Sequence, residues 1–421
     1  MTGMVAFDPS QFFPALLSFF QTSLEYSLVR IGLIAVGAFM VWTGYKRITE
    51  PLIMIPMGIG LLFVNTALFF ITPLPPLLAG ISNPDVNPLV GANATNYVNA
   101  TFETSAANSI YWLQPIYSFT FTNGLIACLV FLGIGAITDL DFLIARPFTS
   151  MILAAFAELG TVLTFPLAIA AGLNPGQAAS VAMVGGADGP MVLFTSLALA
   201  RDIFVPITVV AYIYLSVLYL FQGRLNELTI PEKLRATFMD SRQLPKISQQ
   251  EKFLFAVIVG TVLSLLFPVA SPLFAAFFLG NAIKESGVER FKKLADEVIL
   301  SISTLFLGFV LGMLLTPTTV LDSRIYLILG LGITALVLSA IGGNIGGIIA
   351  YYYTKGKVNP LLGSAAVSCV PTSAKIAQLN ASKLNKKNYI VLFAMGPNVA
   401  GVITTAIVCA AYLTLVPVLF H

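Results

Sequence analysis

Histidine is nearly missing from this 421-residue chain; its single copy is the last residue, His421. That removes an imidazole from the candidates for buried general base, metal ligand or haem ligand. Cysteine is scarce too. Cys128, Cys369 and Cys409 all sit in apolar surroundings, with no CxxC or Cys/His cluster, so neither a disulfide framework nor a zinc site is suggested. Charge is the third scarcity, at 10% of residues where a soluble domain carries roughly a quarter. The net charge of +3 says little, because in membrane proteins the placement of Lys and Arg matters more than their sum, and no nucleic-acid partner is expected. The N-terminus lacks a basic n-region, so no cleavable signal peptide is expected. Regular alternation over ten-residue stretches is absent, which argues against a membrane barrel.

What remains is apolar: 57% of residues are hydrophobic and mean hydropathy is +0.90. A helix needs about 20 apolar residues to cross a bilayer. The chain has material for about ten such segments, which predicts an all-α polytopic membrane protein. They fall near 26–45, 52–73, 120–138, 148–171, 203–222, 253–269, 271–283, 296–316, 324–341 and 389–418, and 175–200 and 359–380 are apolar but interrupted. Basic residues set the orientation. Residues 1–25 and 74–119 hold no Lys or Arg, whereas Lys46 and Arg47 follow the first span and the loop 223–252 carries six basic residues. The N-terminus is therefore placed outside, and the loops 45–51 and 223–252 are placed in the cytoplasm. Asn93 and Asn99 match a glycosylation sequon in the outside loop, a pattern common by chance.

Counting crossings leaves 175–200 with both ends outside and 359–380 with both ends inside. Each half then has two spans, a broken hairpin and one span, in opposite orientation. The predicted units are 1–119 (first spans and external loop), 120–222 (first repeat, hairpin 175–200), 223–295 (cytoplasmic loop and linking spans) and 296–421 (second repeat, hairpin 359–380). Inverted repeats with interrupted hairpins are a transporter pattern, with the site where the interruptions meet.

Asp188, in VGGADGPM (184–191), is the first candidate. A carboxylate at bilayer depth costs a few kcal/mol or more and usually faces a cavity or a partner. It reads either as a protonated cap on a half-helix or as a ligand to a small hard cation such as Na+. Gly185, Gly186 and Gly189 let carbonyls turn inward, and Pro190 is expected to keep Gly189 out of the helical region. The second hairpin offers Asn359, Gly363, Ser364, Ser368, Thr372, Ser373 and Lys375. Each hydroxyl taken singly reads as back-bonded within its helix. Pro371 frees a carbonyl one turn earlier. In GGNIGG (342–347) the glycines suit close helix packing, while Asn344 needs a polar partner. Asn398 lies in MGPNVAG (395–401). Tyr212 and Tyr214 read as hydrogen-bonded core aromatics or as ion and proton groups.

Taken in order, GGADGP, GGNIGG, NPLLGSAAVSCVP and AMGPNVAG resemble the β subunit of the sodium-pumping, biotin-dependent carboxylic acid decarboxylases. EPLIMIPMGIGLLFVN (50–65) and FLGIGAITDLDFLIARP (131–147) resemble the same family, so the likeness runs from about residue 45 to 410. It implies a membrane translocase in a prokaryotic cytoplasmic membrane. That subunit decarboxylates carboxybiotin on a carrier domain, consumes a proton and exports Na+. Implied partners are biotin carrier and carboxyltransferase subunits, small membrane-anchored γ/δ-type subunits, and further β subunits in a homotrimer. By the same resemblance Asp188 matches the family's acidic residue, Asn359, Gly363 and Ser368 match polar positions of the second hairpin, and Tyr214 matches a tyrosine that helps the ion or proton. Asn344 and Asn398 join the candidate sodium ligands. Lys375 stands where the family usually has Arg; it keeps the charge but loses the planar fork, and is expected to face the carboxybiotin carboxylate. Met191 and Phe393 replace the usual Thr and His. A sodium-coupled carboxylate symporter or cation/proton exchanger would use the same hairpin residues, and only the ordered motifs separate the two readings.

Overall fold

A computed structural model of the chain describes residues 19–20, 22–66, 114–240, 247–368 and 371–420, the side chains of 215–220 excepted. The external loop 74–119 therefore lies almost wholly outside the described residues, as do both sequons. Regular structure among the described residues is helical throughout.

The elements used below are α1 (Leu24–Tyr45), α2 (Pro51–Thr66), α3 (Leu125–Ile137), α4 (Pro147–Ala157), α5 (Leu159–Ala170), α6 (Pro175–Ala182), α7 (Gly189–Leu199), α8 (Phe204–Thr229), α9 (Gln249–Leu266), α10 (Ser271–Glu285), α11 (Leu300–Leu314), α12 (Arg324–Tyr353), α13 (Leu361–Ala365), α14 (Thr372–Leu384) and α15 (Val391–Leu419). Among the described residues, six helices are long and apolar enough to cross a bilayer: α1, α4 continued by α5, α9, Glu289–Leu314 ending in α11, α12 and α15. The chain is thus a multi-pass α-helical membrane protein. α2, α3 and α7 are apolar but shorter. At 15 residues, α10 reaches only about 22 Å, short of the ~30 Å hydrocarbon core.

α12 is the spine. Its 30 residues span about 45 Å, and the two hairpins are fixed towards opposite ends of it. Hairpin 1 (α6, α7) starts with a capping box: the Asn174 side chain accepts from Gln177 N at 2.8 Å, and Gln177 Oε1 accepts from Asn174 N at 3.2 Å. Gln177 Nε2 then donates to Asp202 (2.6 Å), and Arg324, the first residue of α12, donates to the same carboxylate at 3.2 Å. Arg324 also holds Asp322 at 2.7 Å, and the guanidinium keeps that loop carboxyl below its ordinary range. Hairpin 2 (α13, α14) is fixed near the other end. Asn359 Nδ2 donates to the carbonyls of Arg235 (2.9 Å) and Thr237 (2.8 Å). A Cβ on Gly347 of α12 would collide with the Pro360 carbonyl, and one on Gly363 would collide with the Gly343 carbonyl. The glycines of GGNIGG therefore serve close packing.

Between these ends, α12 crosses the α4–α5 span. A Cβ on Gly160 would collide with the Ala335 carbonyl, and one on Gly342 with that of Phe156. The crossing lies where α4 gives way to α5, at Glu158.

Gly347→Leu forces the α12–α13 backbones apart, and overpacking of this kind costs about 1–3 kcal/mol or more. A lower melting temperature of the detergent-solubilised protein, measured by size-exclusion after heating, is the expected outcome.

Candidate functional site

The interruption in hairpin 1 is compact. α6 tightens into a 3₁₀ turn over Met183–Gly186, Ala187 takes the left-handed conformation (φ 52°), and Asp188 is extended before α7. A left-handed alanine costs roughly 1 kcal/mol, so the surrounding packing holds it there. Gly189 is nevertheless the first residue of α7, contrary to the expectation for a residue before proline. With no Cβ to clash with the Pro190 ring, glycine can be helical there. The break therefore lies at Ala187–Asp188. Gly185 and Gly186 admit neighbours: a Cβ on the first would meet Thr161 N at 2.7 Å, and one on the second would collide with the Thr405 methyl.

Asp188 caps α7, its Oδ1 accepting from Met191 N at 3.3 Å. Its Oδ2 accepts from Ser368 Oγ at 3.1 Å. Ser368 lies where hairpin 2 is interrupted, so the two breaks, 180 residues apart in sequence, meet through one hydrogen bond. Asn398 of α15 supports the second break. Its Nδ2 donates to the carbonyls of Ala365 (2.8 Å) and Val367 (3.2 Å); the second of these is four residues before Pro371, as the proline requires. Asn398 Oδ1 is buried with no hydrogen-bond partner among the described residues.

Asp188 and Ser368 line a cavity of about 260 Å³ with Tyr212, Thr372, Lys375 and Glu50. Lys375 is exposed and Glu50 half-buried, while Asp188 is 5% exposed. The cavity thus runs from the paired tips to a charged mouth, between walls of α3 and α11 that are mostly apolar.

The other predicted site residues lie elsewhere. Tyr214 donates to the Leu329 carbonyl at 2.7 Å and packs against Gly332 of α12. Two residues apart on a helix is a rotation of about 200°, so α8 sends Tyr212 to the cavity and Tyr214 to α12. Asn359 has both amide functions engaged: Nδ2 on the 235–237 backbone, and Oδ1 accepting from Leu361 N at 3.0 Å. Gly363 is a contact residue of α12. Asn344 donates to Asn226 (3.1 Å) and Thr229 (2.7 Å) of α8, and its Oδ1 is buried without a partner among the described residues. Phe393 packs edge-on to Phe142, with ring centroids 5.7 Å apart.

Sequence reasoning passed over Glu158. Its carboxyl is buried against Thr161 (2.7 Å) and Thr405. A single acidic residue in the apolar stretch 148–171 was the available signal.

Fold and site together define a multi-pass membrane protein whose polar centre is built from two interrupted hairpins. The chain belongs to the family of the Na+-transporting oxaloacetate decarboxylase beta subunit, whose pattern matches residues 29–416. It is 46% identical to the carboxybiotin decarboxylase of Malonomonas rubra over 403 residues, 96% of this chain and 97% of that protein. Identity is 34% to the methylmalonyl-CoA decarboxylase subunit beta of Propionigenium modestum, covering 95% and 99% of the two chains. It is 33% to the oxaloacetate decarboxylase beta chain of Haemophilus ducreyi, covering 91% and 94%.

The two tyrosines are expected to separate on mutation. Tyr214→Phe removes one hydrogen bond, worth about 1 kcal/mol, and lowers thermal stability with sodium response intact. Tyr212→Phe alters the sodium concentration needed for half-maximal activity of the assembled complex. Sodium titrations and melting curves of both variants check the pair.

Proposed function

We propose that this chain is the membrane subunit of a biotin-dependent decarboxylase that exports sodium: it decarboxylates carboxybiotin presented by a partner's carrier domain and couples the reaction to Na+ movement. One observation carries the reading. Asp188 and Ser368, from hairpins fixed near opposite ends of α12, meet on the wall of a cavity that also holds Lys375.

Carboxybiotin is a carbamate. Loss of CO2 breaks its N–C bond and leaves a biotin anion that must gain a proton. An apolar enclosure favours the step by removing water from the carboxylate. The cavity walls provide that enclosure, and the Lys375 ammonium attracts the carboxylate at the mouth. A volume of about 260 Å³ falls just below the ~300–1,000 Å³ of pockets for drug-sized ligands. It has room for the bicyclic head of biotin and none for a whole CoA thioester. The acid or thioester that feeds the biotin is accordingly chosen by a soluble carboxyltransferase partner, and small anchoring subunits and further β subunits in a trimer complete the complex. The membrane is the prokaryotic cytoplasmic membrane, with the Lys375 mouth on the cytoplasmic side.

Sodium is the cargo. The Asp188 carboxylate, the Ser368 hydroxyl and the unpaired Asn398 oxygen are hard donors of the kind that small cations accept. Asn344 has a free oxygen too, beside α8. Asn359 and Gly363 act by holding hairpin 2 in place. The ordered motifs and the matched family favour this reading over a symporter or exchanger.

In vesicles containing the complete complex, Asp188→Asn is expected to abolish sodium-stimulated decarboxylation, and Ser368→Ala to weaken sodium activation about tenfold or more, since hydrogen bonds to charged groups contribute ~1.5–3 kcal/mol. Wild-type sodium activation in the Asp188→Asn complex would falsify the assignment. Retention of a biotinylated carrier on the immobilised subunit tests the partner.

A further inference from the structure

Two opposite charges, Lys375 and Glu50, line the cavity that holds Asp188 and Ser368. Lys375 is exposed and Glu50 half-buried. Among the described residues neither side chain makes a hydrogen bond or an ion pair, with the other or with a third group. An ammonium only donates hydrogen bonds and a carboxylate only accepts them. Left apart on one rim, the two suit a ligand with an anion on one side and an N–H donor on the other.

Both groups stand at helix starts. Glu50 precedes Pro51, the first residue of α2, and its carbonyl accepts from Met54 N at 3.0 Å. α2 is packed backbone to backbone on α11: a Cβ on Gly60 would collide with the Phe309 carbonyl, and one on Gly312 with that of Met57. α11 in turn walls the cavity through Leu300, Thr304 and Leu307. Lys375 lies in the first turn of α14, its N–H bonded to the Pro371 carbonyl at 3.1 Å. A cation there opposes the helix dipole, and a bound anion offsets that cost. Deeper in the cavity, Asp188 and Ser368 are bonded to each other. The Thr304 hydroxyl donates to the Leu300 carbonyl at 2.6 Å. Glu50 is therefore the charged acceptor left at the mouth.

The head of carboxybiotin carries its carbamate on one ureido nitrogen and keeps an N–H on the other. Inside apolar walls that N–H loses its water, and burial without an acceptor is costly. We propose that Glu50 is a substrate-binding residue: its carboxylate accepts from the distal ureido N–H, while Lys375 holds the carbamate on the other nitrogen. This rests on the carboxybiotin reading above. The distal N–H is present before and after CO2 leaves, so Glu50 binds substrate and product alike, whereas Lys375 acts on the carboxylated form alone. A contact made equally in both states adds affinity without speeding the chemical step.

The test uses the complete complex in vesicles, with free carboxybiotin methyl ester as substrate. Two competitors are compared, biotin methyl ester and its analogue methylated on the distal ureido nitrogen. Glu50→Ala is expected to raise KM about tenfold or more, the scale of a lost charge-assisted hydrogen bond. Its kcat should stay within about twofold of wild type, the signature of lost uniform binding. Affinity for biotin methyl ester should fall by the same factor as KM rises. Lys375→Met should raise KM and leave that affinity unchanged. Glu50→Gln keeps a carbonyl acceptor and should recover part of the loss. The methylated analogue should bind the wild type more weakly than its parent, and Glu50→Ala equally well. If Glu50 only caps α2, Glu50→Ala lowers the melting temperature and leaves KM and both affinities unmoved; that result overturns the proposal and leaves the decarboxylase reading standing. A wild-type complex that neither decarboxylates the free ester nor binds biotin methyl ester overturns both. If Glu50→Ala does not assemble, the competitors on the wild type decide. Equal affinity for the two overturns the assignment, and a loss of about tenfold or more on methylation supports it.

Discussion

The hydrogen bond between Ser368 and Asp188 is the contact on which the rest of the polar centre depends. A carboxylate buried among membrane helices is unfavourable by several kcal/mol unless charge and hydrogen bonds are provided locally. Continuous helices satisfy their own backbones and leave no groups to offer. Interrupted hairpins do, at their breaks, and two of them are needed because each can reach only from its own end. The capping box at Asn174 and the Asn359 contacts to the 235–237 backbone fix where each hairpin begins. α12 fixes how far apart those beginnings are.

That arrangement gives the site two unlike sides. Towards Lys375 and Glu50 it opens into a cavity with apolar walls, suited to a carbamate that must lose its water. Towards α5 and α15 it closes on hydroxyls and the second carboxyl, where glycines bring the hairpin 1 backbone against Thr161 and Thr405.

Much of this was legible in the chain. Helical length and scarcity of charge specify a polytopic membrane protein, and the glycine and proline interruptions at 184–191 and 359–371 locate the two hairpins. Asp188 stands out because a carboxylate in such a run needs a reason. Glu158 met the same criterion and was passed over, because nothing near it in sequence breaks the helical pattern. Tyr212 and Tyr214 are indistinguishable by type and differ only in the helix face that each occupies.

By itself the sequence determined the class of fold, the family, and the residue types available for a hard cation, since each follows from local composition and ordered motifs. Only the tertiary structure decided which of those residues face one another. Ser368 reaches Asp188 across 180 residues, and Thr405 reaches Glu158 across 247. Asn359 and Tyr214 turn to backbone carbonyls instead. Such pairings depend on how α12 spaces the hairpins and on which face of α8 meets the cavity, and helix rotation and spacing are set by packing between elements distant in the chain.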